Sequence, residues 1–97
     1  MSDPTVITFD NTGSDIYTII EVDTRDRPGL LFDLTKTLSN SNIYIASAVI
    51  ATYGEQAVDV FYVKDMFGLK LHSKTKQDKI SKALSGAIER GEEVAMS

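Results

Sequence analysis

The sequence predicts an α+β domain in which one antiparallel four-stranded sheet carries two helices on a single face. Three observations predict it. Two pairs of β-branched and aromatic segments are each joined by a turn, two segments carry apolar residues at a helical period, and the order is strand, strand, helix, strand, strand, helix. A chain of 97 residues is enough for one domain and too short for two.

Residues 5 to 10, Thr-Val-Ile-Thr-Phe-Asp, read as the first strand. The turn formers Asn11 to Asp15 separate it from residues 16 to 24. There Ile16, Thr18, Ile20 and Val22 alternate with Tyr17, Ile19, Glu21 and Asp23. Arg25 to Gly29 breaks the strand, and a helix follows over residues 28 to 40. Its stripe is Leu30, Leu31, Leu34 and Leu38, with Asp26 placed to cap it and Pro28 in its first turn.

Residues 43 to 53 and 57 to 64 form a second hairpin around Gly54-Glu55-Gln56. A loop with Gly68 leads to a second helix over residues 75 to 90. Thr75 and Asp78 have capping-box spacing, and Ile80, Ala83, Leu84, Ala87 and Ile88 form the stripe. Gly91 is expected to stop this helix, leaving residues 92 to 97 as a disordered tail. Both helices cover one sheet face. The other face stays open with Ile19, Phe61 and Val63, or with the opposite set, and is an expected association surface.

Composition excludes several functions. A net charge of -4 and a pI of about 4.8 oppose a broad nucleic-acid surface. The absence of cysteine removes disulfides and thiolate metal sites. No apolar run approaches membrane length, and Met1-Ser2-Asp3-Pro4 does not open a signal peptide, so a cytoplasmic protein is expected. The single histidine, His72, reads as a surface loop residue, and no catalytic set, metal or cofactor is expected.

One loop carries chemistry. Asp26-Arg27-Pro28-Gly29-Leu30-Leu31 joins a strand end to a helix start. First-turn amides lack intrahelical partners and favour an anion. Gly29 lets a ligand approach the backbone. Such a loop can hold a free amino acid, its carboxylate on the amides and its amine on Asp26 or a carbonyl; it also reads as an ordinary Pro-Gly helix entry.

The run Arg25 to Leu31, with the following helix, the Ile43 strand and Thr52-Tyr53-Gly54-Glu55, resembles an ACT domain. The longer match adds Tyr17 to Val22, Ala57 to Val63, and Asp65 through Lys70. It is similar to the ACT domains that close nitrogen-regulatory uridylyl-transferring enzymes. The resemblance implies a ferredoxin-like ACT fold and a regulatory, non-catalytic sensor of an amino-acid effector, glutamine first. The effector would lie between two paired ACT units. The matching positions are Asp26, Arg27, Gly29, Leu30 and Leu31 in the loop, with Tyr44 and Ile45 on the next strand. Many ACT domains have Asn where Tyr44 stands. The family's usual order is βαββαβ, and the N-terminal strand here is expected to replace the missing last one. The alternative is a ligand-independent pairing domain.

Overall fold

The computed structural model describes residues 4–96. Met1 to Asp3 and Ser97, on which the expectations for the chain's start and the end of its tail fall, lie outside the described residues. The elements are β1 (Val6–Asp10), β2 (Thr18–Arg25), α1 (Leu30–Asn40), β3 (Tyr44–Tyr53), β4 (Gln56–Lys64) and α2 (Lys74–Met96). The sheet is antiparallel throughout in the order β1-β2-β4-β3, a ferredoxin-like ACT fold. β1 lies beside β2 at the edge, the place expected for the strand that replaces the missing last one.

Alternation decides the layers. Ile20, Val22, Phe61 and Val63 are fully buried under the helices, joined by Leu34 and Leu38 of α1 and Leu84 of α2. Ile20 pairs with Phe61 across the two central strands, and Ile19 with Tyr62. The open face therefore carries Ile19, Val58, Val60 and Tyr62. Phe61 and Val63 belong to the core, so the grouping of Ile19 with them is corrected by the register.

Several local details differ from expectation, each for a physical reason. α1 starts at Leu30 and not at residue 28, so Pro28 precedes it, because Gly29 is left-handed and forms the N-cap. β2 begins at Thr18 because the Ser14 hydroxyl accepts the amides of Ile16 and Tyr17 at 3.2 and 3.0 Å, drawing them out of the ladder. The cap of α2 is Ser73, not Thr75: its hydroxyl accepts the Lys76 amide at 3.3 Å. Leu31 is 42% exposed and lies off the buried stripe. Lastly, α2 passes through Gly91 to Met96 where a tail was expected over residues 92 to 97. Gly91 keeps a negative φ, so it does not take the left-handed form that ends helices, and a side chain from another element packs on it.

Phe61→Ala should lower stability by about 3–5 kcal/mol, a large share of the ~5–15 kcal/mol available to a small domain. Urea unfolding followed by circular dichroism measures it; a loss below ~1 kcal/mol would contradict the assigned face.

Candidate functional site

The loop between β2 and α1 is held at its first residue. The Asp26 amide donates to the Glu55 carbonyl at 2.8 Å, tying the loop to the β3–β4 turn. This tether keeps Asp26 at the strand end with an exposed side chain, so it does not cap α1 as expected. The N-cap is Gly29, at φ 80°, with no side-chain cap. A residue with a Cβ is strained at that φ. The Leu30 amide reaches the Arg27 carbonyl at 3.3 Å, and the Asp33 amide reaches the Gly29 carbonyl at 3.0 Å. Among the described residues, the Leu31 and Phe32 amides have no backbone or side-chain acceptor. The helix end thus offers unpaired donors with a partial positive charge.

Arg27 takes a course the sequence did not reveal. Its side chain is only 8% exposed and runs across the gap between the helices. Nη2 pairs with Asp33 Oδ2 at 2.8 Å and donates to the Ala87 carbonyl at 3.4 Å, while Nη1 donates to the Pro28 carbonyl at 3.1 Å. Nε is buried without a partner. An ideal Cβ on Gly91 would fall 1.8 Å from Nη2. Gly91 is therefore the seat of the guanidinium.

The remaining candidate residues divide. Leu30 is 3% exposed in the core, and its amide is taken by the Arg27 carbonyl. Leu31 is exposed beside the open helix end. Tyr44 is 62% exposed and Ile45 half-buried, just before a bulge that leaves Ala46 outside the β3–β4 pairing. Tyr44 pairs with Lys64, whereas Tyr53 pairs with Gln56, next to the loop. At ~3.3 Å per residue, Tyr44 stands roughly 30 Å along β3 from the loop end. One chain does not bring Asp26 to Leu31 together with Tyr44 and Ile45.

Two hollows border the loop. One of about 470 Å³ is lined by Arg25, Asp26, Arg27, Pro28, Gly54 and Glu55. A second, of about 690 Å³, lies between α1 and α2 with Arg27 and Gly29 at one end. Sequence reasoning also missed Asp59 as a buried charge. It is 2% exposed on the helix-covered face of β4, and its Oδ1 has no partner. Burial, with Asp26 adding to it, pushes its carboxyl above the ordinary 3.8. A strand pattern marks position 59 as inward, but not whether an Asp there finds a partner.

The sequence profile described as the ACR family N-terminal ACT domain matches residues 14–91. The chain belongs to the ACT domain family. Among curated proteins it is 73% identical over 92 residues to a bifunctional uridylyltransferase/uridylyl-removing enzyme of Cereibacter sphaeroides, covering 95% of this chain and 10% of that protein. The enzyme of the same name in Ruegeria pomeroyi is 70% identical with the same coverage, and that of Azospirillum brasilense 52% identical over 88% of this chain and 9% of its own. The chain spans about a tenth of the length of these relatives. In shape it is similar to an unknown protein from Galdieria sulphuraria, with a TM-score of 0.54 and 24% identity over 71% of this chain and 36% of that one, a likeness of fold alone. No described helix is long and apolar enough to cross a membrane.

Two outcomes follow from the buried charges. Gly91→Ala should destabilise the wild type, because the methyl displaces the guanidinium from its partners. In an Arg27→Ala background the same change should stabilise by about 0.5–1 kcal/mol, the ordinary gain of Ala over Gly in a helix. A double-mutant cycle by denaturation measures this sign reversal, and additive effects would contradict the contact. Asp59 carries a raised folded pKa, so stability falls as pH rises from the unfolded value of 3.8 through the folded one. Asp59→Asn should therefore be more stable than wild type at pH 7, with an advantage that shrinks toward pH 4. An advantage that grows on acidification would contradict the burial argument.

Proposed function

We propose that the chain is a regulatory amino-acid-sensing unit, with glutamine as its effector, and that it controls a uridylyltransferase/uridylyl-removing enzyme acting on the PII signal protein in nitrogen regulation. The observation that carries the reading is the uncapped N-terminus of α1, opened by a left-handed Gly29 beside the exposed Asp26 carboxylate. The effector carboxylate is taken by the first-turn amides and its ammonium by Asp26. High identity to enzymes of that name supports the parent activity.

The effector lies between two copies. β3 is a ten-residue edge strand with one side unpaired, and Val49 and Ile50 are exposed on it. Such an edge invites a second strand. Antiparallel pairing centred on Ala48 and Val49 sets Tyr44 of one copy against Tyr53 of the other. Tyr44 and Ile45 then stand beside the neighbour's Leu31 and Gly29. This uses all seven candidate positions, with two in modified roles: Leu30 anchors the helix start in the core, and Arg27 braces the loop. Ligand binding to the pair stabilises it by mass action, by about 2.7 kcal/mol at a hundredfold excess over Kd.

A second reading is pairing without a ligand, favoured by the length and apolar character of β3. Calorimetry with glutamine, glutamate and serine, combined with a solution mass, separates the two. The sensor reading expects saturable heat with glutamine and a dimer that tightens with it. A dimer indifferent to millimolar glutamine favours the second reading. Gly29→Val should remove the response while circular dichroism shows the fold intact; binding that survives would place the effector elsewhere.

A further inference from the structure

We infer that the hollow between α1 and α2 is a second ligand site, which meets the loop cleft at Arg27 and Pro28 and runs away from it between the helices, and that it takes a small metabolite carrying two negative charges. Beyond Arg27, Pro28 and Gly29, the hollow follows the flank of α1 opposite Leu31. At 100° per residue, Asp33, Thr37 and Asn40 line one side of α1 and face α2 across the hollow, whereas Leu31 and Thr35 lie on the other flank. Its volume of about 690 Å³ is within the range of small-molecule sites.

Charge selects the ligand. Arg27, Lys36 and Arg90 line the hollow, and among the described residues Asp33 is the one carboxylate that does so. Arg27 is paired with Asp33. Lys36 and Arg90 take part in neither of the two ion pairs among the described residues, so two positive charges remain in a chain whose net charge is -4. Lys36 rests over the Phe32 ring at 5.7 Å, a contact its flexible side chain can exchange for an anion in the hollow. The built element is the guanidinium of Arg27. It is nine-tenths buried, seated on Gly91, and has an Nε without an acceptor. Repulsion among these cations costs free energy that a dianion relieves, and a zwitterionic amino acid, with no net charge, does not. The two sites thus differ in ligand class. A dicarboxylate and a phosphate-bearing metabolite share the required chemistry.

The test is an amide chemical-shift titration of the folded chain at constant ionic strength, with succinate, inorganic phosphate and, as the monovalent control, acetate. The expected result is saturable shifts at Lys36, Arg90 and Gly91 with at least one dianion. Binding should weaken by about tenfold or more in the double variant Lys36→Gln, Arg90→Gln, whose changes are on the surface. Saturation by phosphate alone assigns a phosphate-bearing ligand, and by succinate alone a dicarboxylate. No saturable shift into the millimolar range, equal binding of acetate, shifts confined to the lysines of residues 74–82, or unchanged affinity in the double variant each overturns the inference. A parallel glutamine titration read at Leu31 and Tyr44 keeps the two sites apart: it should be unaffected by the double variant, and its failure bears on the loop site alone.

Discussion

One face of the central strand pair must be buried, and the position of every functional group follows from which face it is. Ile20, Val22, Phe61 and Val63 are sealed from solvent, and a one-residue slip of either strand would turn its pair outward. Their burial fixes the side on which both helices lie. It also fixes where β2 releases the chain: at Arg25, opposite Gln56, so that the loop to α1 emerges beside the β3–β4 turn. Leu30 must then enter the core at once, which sets the start of α1 and exposes its uncapped end. The same arrangement leaves β3 as an unpaired edge.

Much of this was legible. Alternation in β2 marked Thr18, Ile20 and Val22 as one face, and the leucine spacing marked α1, because both signals come from local backbone geometry. The replacement of the family's last strand was legible too, since a short connection forces β1 to lie antiparallel beside β2. What was not legible depends on partners remote in sequence. Gly91 has the chemistry of a helix stop, and only the arrival of Arg27 from 64 positions away reveals it as a seat for a guanidinium. Asp26 has the chemistry of a cap, and only its tether to Glu55 shows why it cannot reach the helix end. The assignment of Ile19 to a face needed the β2–β4 register, which a single sequence does not print.

The candidate site shows a division of labour that a motif string conceals. Of the contiguous residues Asp26 to Leu31, Arg27 is engaged by its own chain and Leu30 by the core. The exposed chemistry is reduced to backbone amides, the Asp26 carboxylate and Leu31. A carboxylate and a set of amides fit the two charged ends common to all amino acids, and they do not read the side chain. On the proposed reading, discrimination falls to residues contributed from elsewhere, since Tyr44 and Ile45 lie roughly 30 Å along β3 from the loop. The proposed function thereby makes pairing and selectivity one property.

The most direct measurement is an isotope-filtered NMR experiment on a one-to-one mixture of labelled and unlabelled copies, recorded with and without glutamine. The account predicts that glutamine brings the Tyr44 ring of one copy into contact with the Leu31 side chain of the other, with contacts seen only between copies. Glutamine bound at Gly29 with no cross-copy contact to Tyr44 would contradict it.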